Sequence, residues 1–243
     1  MATRKPKQTQ SQRVLSFGRH GGWRPGAGRK KKRGRPARLP HRSRPPLSAR
    51  YPVHVSMRMR KGLRRNLRTH RCYGVLRACL RAARDRFGCR IIHYSIQGNH
   101  IHLIVEATDE KALGRAMKGF SVRVVRGLNR ALGRTGQVFA ERYHAEYLQN
   151  LRQTRNALVY VIHNAKRHAL EVLDLGPDCL HPSWVDPYSS AAYFDGWKPA
   201  CRRWIPPPEA DPPVVAASLW YLTTGWKRYG LLDTGETPKP GRL

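Results

Sequence analysis

Acid is scarce in this chain. Its 243 residues carry 15 Asp and Glu against 47 Lys and Arg, a formal net charge of +32. No acid precedes Asp85. So large an excess of one sign self-repels unless a polyanion compensates it. Nucleic acid fits that role. An acidic membrane fits less well, because no amphipathic basic helix stands out. Long apolar runs are missing too. None approaches the roughly 20 residues that a bilayer crossing needs, and no apolar segment of the secretory kind follows the basic N-terminus. The five cysteines form no C-x-x-C pair. They read as reduced, mostly buried thiols of a cytoplasmic protein, which argues against a cysteine-held zinc.

Residues 1–48 contain many Arg, Lys, Pro and Gly, few apolar residues and no acid. They read as a disordered basic arm. Within it, R-P-G-A-G-R-K-K-K-R-G-R-P concentrates Arg29, Lys30, Lys31, Lys32, Arg33 and Arg35, the candidate DNA-binding residues. The core Arg33-Gly34-Arg35-Pro36 resembles an AT-hook. Gly34 has no Cβ and lets the backbone sit deep in a groove. Pro36 favours an extended chain, and the arginines suit the narrow, negative minor groove of A·T-rich duplex. A nonspecific polycationic arm is the alternative.

From residue 49 apolar periodicity sets in. Residues 51–60 alternate and read as a strand, with His54 an ordinary strand residue. Residues 62–87 carry apolar side chains at helical spacing, in one helix or in two pieces broken near Gly74. The exposed face is nearly all arginine, open to a phosphate backbone. Residues 89–97 and 101–106 read as strands joined by a Gly98-Asn99 turn. A helix over Lys111 to Leu132 follows, capped by Asp109 and ended by Gly133. A fourth strand is predicted near 143–148 and a last helix over 151–166. The order β-α-β-β-α-β plus a helix predicts an α+β, ferredoxin-like split βαβ fold over residues 49–172. Its four-stranded antiparallel sheet carries helices on one face. Residues 173–243, rich in Pro, Trp and Tyr, read as an irregular extension packed on the domain. Aromatics beside basic residues there are able to stack unpaired bases, although burial is their commoner use.

Two motifs carry chemistry. In N-H-I-H-L-I-V-E, His100 and His102 lie two apart on a strand and project to one face, with Ile101 on the other. Two adjacent imidazoles can hold a divalent metal; a pair of half-exposed histidines is the plain alternative. In A-L-V-Y-V-I-H-N-A-K-R-H, Tyr160 and Asn164 are one helical turn apart and share a face, which His163 borders. A mid-helix Asn has poor propensity and calls for a cap or a ligand. Tyr94, Tyr143 and Tyr147 are rival nucleophiles, but none has a polar partner one turn away.

H-I-H after a G-N turn, then G-x-V-F-x-x-R-Y-H, then A-L-x-Y-V-x-x-N-A-x-R-H, resembles the HUH single-tyrosine transposases. The likeness is greatest to the IS200-like, REP-associated branch. It covers about residues 50–170. It implies a nuclease that cleaves and transfers single-stranded DNA through a covalent 5′-phosphotyrosine. Tyr160 would be the nucleophile, and His100, His102 and Asn164 would hold Mg²⁺ or Mn²⁺. The implied partner is single-stranded or hairpin DNA, with duplex through the arm, and the implied location is the cytoplasm in association with the nucleoid; a homodimer stays open. Two departures stand out. Many members read Y-I-H-x-N-P, whereas His163 here comes one place later and Ala165 replaces the proline. A replication or plasmid-transfer initiator of the same chemistry is the catalytic alternative, and a non-catalytic DNA-binding protein the other. Initiators commonly add a third histidine or a second tyrosine, and neither is evident in the sequence.

Overall fold

A computed structural model describes residues 45–61, 66–173, 181 and 183–238. The arm residues Arg29 to Arg35 and the AT-hook-like segment lie outside the described residues. Residues 44–243 form one compact unit.

Alternating apolar residues build an antiparallel sheet of five strands. These are β1 (Val53–Arg58), β2 (Asp85–Arg86), β3 (Cys89–Ile96), β4 (His100–Ala107) and β5 (His144–Tyr147), in the order β2-β3-β4-β1-β5. Four of them form the expected split βαβ sheet. The fifth, β2, is an edge hairpin that the sequence reading assigned to the preceding helix. Phe87 (φ 59°) and Gly88 (φ 71°) make its two-residue turn. Both are left-handed, as the twist of a tight hairpin demands. A Cβ on Gly88 would meet Thr108 Oγ1 at 2.9 Å.

Two helices cover one face of the sheet. α1 (His70–Ala83) is capped by Thr69, whose side chain accepts from Cys72 N. The helix expected from residue 62 therefore starts at 70, and Gly74 lies inside it rather than breaking it. α2 (Glu110–Ala131) starts on Asp109, which accepts from Ala112 N at 2.6 Å, and Gly133 (φ 59°) follows its end. Leu76, Leu80, Met117, Phe120 and Val124 pack on Val53, Val55, Leu103 and Val105. Gly127 lets α1 and α2 approach closely, since a Cβ there would lie 2.6 Å from Val75 Cγ1.

The third helix, α3 (Leu151–Leu173), covers the opposite face. Its cap is Asn150, which accepts from Gln153 N at 2.8 Å. Leu158, Val161 and Ile162 meet Ile92 and Ile104 of the sheet and Phe194, Trp197 and Trp226 of the C-terminal extension. A bulge in β3 between Ile91 and His93 breaks the alternation. Ile92 joins the α3 cluster, and His93 turns its ring to Phe194 at 5.3 Å. One extra residue in a strand is the device that re-aims neighbouring side chains in this way.

The extension is irregular, with short 3₁₀ turns and a one-turn helix α4 (Trp220–Thr223), but it is firmly tied. Buried Asp186 takes two hydrogen bonds from Arg68, at 2.6 and 3.0 Å. Buried Glu106, at the end of β4, accepts from Ser218 N, Leu219 N, Ser218 Oγ and Arg90 Nη1 at 2.6–2.8 Å. The arginine face of α1, open by the sequence reading, is partly occupied. Arg77 and Arg81 pair with Glu209, and Arg81 and Arg84 with Asp211. Cys72, Cys79, Cys89 and Cys201 are free and buried. No helix among the described residues is long and apolar enough to cross a membrane.

Candidate active site

The site lies where α3 packs on β4 and brings Tyr160 beside His54 of β1. In their antiparallel register Ser56 faces His102 and Arg58 faces His100. Even-numbered residues of both strands point toward α3, so His100 and His102 share its side of the sheet with His54 of β1. The His100 and His102 rings stand edge to face, centroids 4.7 Å apart. Asn99, from the turn, accepts a hydrogen bond from His100 Nδ1 at 2.6 Å.

From α3, the half-buried Tyr160 places its ring edge-on to His102 at 5.0 Å and to His54 at 5.9 Å. Asn164 lies one turn further on. It is fully buried, and neither Oδ1 nor Nδ2 has a hydrogen-bond partner among the described residues. A buried amide left unsatisfied costs about 1–3 kcal/mol, so such a group marks a place for a ligand. Among the described residues no three His, Cys, Asp or Glu side chains gather as a metal centre. A metal here would therefore draw on the two imidazoles of His100 and His102 and the amide oxygen of Asn164. Two imidazoles with one oxygen suit Mn²⁺ at least as well as Mg²⁺, which prefers oxygen donors.

Two more histidines border the site. Sequence reading set His54 aside, yet its Nε2 lies 3.1 Å from His102 Nδ1, with the two ring centroids 5.2 Å apart and the planes 16° from parallel. Burial, with His144 nearby, pushes its pKa down to about 4, so it is neutral at pH 7. Its signal was the register of two strands far apart in the chain, which no local pattern displays. His163 sits differently. It packs edge-on against Trp197 at 5.4 Å, in the cluster between α3 and the extension. Burial and neighbouring Lys166 lower its pKa to about 3. Buried Lys166 in turn donates to Thr234 O at 2.9 Å.

The rival tyrosines lie on the other face. Tyr94 is buried in the α1–α2 core, with its hydroxyl 3.3 Å from that of Tyr73. Tyr143 and Tyr147 pack against the same core, and the Tyr147 hydroxyl donates to Pro45 O at 2.9 Å. Of these four tyrosines, Tyr160 alone stands beside the histidine pair.

A second surface lies near the start of β1. Arg50 stacks over Tyr51 (4.4 Å), Tyr51 meets Tyr221 (5.5 Å), Tyr221 meets Trp220 (5.8 Å), and Arg228 lies over Trp220 (5.4 Å). Trp220 is 48% exposed.

Residues 50–164 match the family model described as Transposase IS200 like. That span runs from the start of β1 through His100, His102 and Tyr160 to Asn164. Over these residues the chain is similar to the IS200-like transposases. Two solved transposase structures resemble the chain. One is a REP-associated tyrosine transposase bound to a REP hairpin, 14% identical over 77% of this chain and 97% of that one, with a TM-score of 0.49. The other is a putative transposase from Deinococcus radiodurans R1, 14% identical over 60% and 96%, with a TM-score of 0.34. No curated protein matches the sequence.

Proposed function

We propose that this IS200-like transposase domain cleaves and rejoins single-stranded DNA through a covalent 5′-phosphotyrosine on Tyr160. The observation that carries the reading is Tyr160 edge-on to His102, one turn before the unsatisfied amide of Asn164. The phenol Oη attacks the scissile phosphorus. An Oη–P bond forms, the P–O3′ bond breaks, and the strand departs with a free 3′-hydroxyl while the phenol loses its proton. Exchanging one phosphodiester for another conserves the bond energy, so a second 3′-hydroxyl can reverse the step and join a new strand. That separates strand transfer from hydrolysis.

A free phenol has a pKa near 10, so only about one in a thousand is ionised at pH 7. His100, His102 and Asn164 would hold the divalent ion, Mg²⁺ or Mn²⁺, which would supply Lewis-acid neutralisation of the phosphate oxygens and orientation for in-line attack. The sheet and α3 fix these side chains on rigid elements, which limits the reorganisation needed at the moment of reaction.

DNA as the partner is supported by the charge of +32. Unpaired bases find a stacking surface in the Trp220, Tyr221 and Tyr51 ladder with its overlying arginines, the arrangement that single-strand binders use. The basic arm, Arg29 to Arg35, would add contacts to duplex or hairpin phosphates. His54 supplies the third histidine that an initiator would carry, but its contact is with another imidazole rather than with Asn164. A non-catalytic DNA-binding protein would have no need of a buried, unsatisfied Asn164. Incubation with single-stranded oligonucleotide and Mn²⁺ decides between the readings. Protein–DNA adduct resistant to denaturant supports strand transfer, and its absence supports binding alone.

A further inference from the structure

We infer that His54 is the positioning residue of the metal site: it accepts the Nδ1–H of His102, fixes that ring's tautomer and rotamer, and so commits Nε2 to the metal. This rests on the proposed reading of His100 and His102 as ligands.

The geometry treats the two histidines alike. Asn99 Oδ1 is an acceptor only, so His100 must carry its proton on Nδ1 to make the 2.6 Å contact. His54 Nε2 stands at the same atom of His102, 3.1 Å away. Both rings are thus held at Nδ1 from behind, one by the turn and one by the neighbouring strand. Imidazoles that bind metals are commonly oriented this way, through a hydrogen bond at the nitrogen that faces away from the ion, and losing the outer partner costs about 10–100-fold in affinity. A carboxylate or carbonyl usually fills that role. Here a second imidazole fills it. Burial of His54, at 5% exposure, and its near-parallel ring alongside leave His102 little freedom to turn.

Phe at position 54 would keep an aromatic ring of similar size and remove the acceptor, while Gln would restore an acceptor on a longer arm. The full chain is titrated with MnCl₂, free Mn²⁺ being read by electron paramagnetic resonance, for wild type, His54→Phe, His54→Gln and His102→Ala. Melting temperatures are taken without metal. We expect His54→Phe to bind Mn²⁺ about 10–100-fold more weakly at an unchanged melting temperature, and His54→Gln to recover most of the loss. Wild-type affinity in His54→Phe, alongside weakened binding in His102→Ala, overturns the role of His54 alone. Equal binding by wild type and His102→Ala, or none by either, overturns the metal reading and this inference with it. An independent measurement covers a His54→Phe protein that fails to fold. The ¹⁵N shifts of His102 in the metal-free wild type should show a protonated Nδ1 and a bare Nε2. The opposite tautomer overturns the proposal.

Discussion

Tyr160 and His102 meet edge to face, with ring centroids 5.0 Å apart, across the seam between α3 and the central strands. The seam places the proposed nucleophile from one element against candidate ligands from another. Its consequences can be measured.

Asn164 sets stability against function. Its amide is buried with no hydrogen-bond partner among the described residues. Asn164→Leu keeps the branching at Cγ and removes both unsatisfied polar groups, so the metal-free protein should be at least as stable as wild type, its larger side chain offsetting part of the about 1–3 kcal/mol that a buried unsatisfied amide costs. The same change should weaken Mn²⁺ binding and slow cleavage. Asn164→Ala should show a milder cleavage defect than His102→Ala, since water can replace an amide oxygen. Denaturant melts in EDTA, with cleavage assays beside them, test the pair. A destabilised Asn164→Leu would mean that the amide has a structural partner.

Acid should unfold the domain through its buried histidines. His93 is fully enclosed between the sheet and the extension, near Ser190 Oγ, and burial lowers its pKa to about 4. Above pH 6.5 both folded and unfolded forms are neutral there, so His93 makes no pH-dependent contribution. As pH falls from 6.5 toward 4, the unfolded chain takes up a proton that the folded one refuses, and stability falls. The loss is up to about 3 kcal/mol over that window. His93→Leu should flatten the decline in urea midpoints between pH 7 and 4.5. An unchanged slope would remove His93 as its source.

Trp220 should read single strands. It is exposed, with Arg228 over its ring. Trp220→Ala should weaken binding to an unstructured oligothymidine about tenfold, since one stacked base is worth about 1–3 kcal/mol. Affinity for a blunt duplex should hardly change. Equal losses on both substrates would make Trp220 a packing residue.

The basic arm should add salt-sensitive affinity and no chemistry. Leu47 is buried in the core and Pro45 O accepts from Tyr147, so the deletion belongs at residues 1–44 rather than 1–48. Every phosphate that the arm no longer neutralises should reduce the slope of log affinity against log salt by about 0.9 on duplex or about 0.7 on single strands. Single-turnover cleavage at saturating protein should remain. A truncated protein with the full-length slope would contradict this role.

What the sequence disclosed was local. The two-residue step of H-I-H places His100 and His102 on one face whatever the fold, and the four-residue step from Tyr160 to Asn164 does the same on a helix. Asp109 marked the start of α2 because a cap is a local hydrogen bond. What stayed hidden depended on pairing between distant segments. His54 meets His102 only through the β1–β4 register, and Glu106 looks like the polar end of a strand until Ser218 and Leu219 close on it. The arginines of α1 look bare until Glu209 and Asp211 arrive from the extension. The β2 hairpin escaped notice because Phe87 has the side chain of a helix face and the backbone of a turn.

In the proposed reaction Tyr160 becomes covalently joined to DNA. Tyr160→Phe removes one hydroxyl from a half-buried ring, so the fold and DNA binding should survive. Wild type and variant are incubated with Mn²⁺ and an oligonucleotide labelled on either side of the cut, then separated under denaturing conditions. Label 3′ of the cut should travel with wild-type protein, label 5′ of it should leave with a free 3′-hydroxyl, and Tyr160→Phe should form no adduct. Adduct persisting in Tyr160→Phe, or label 5′ of the cut retained on the protein, would contradict that reaction.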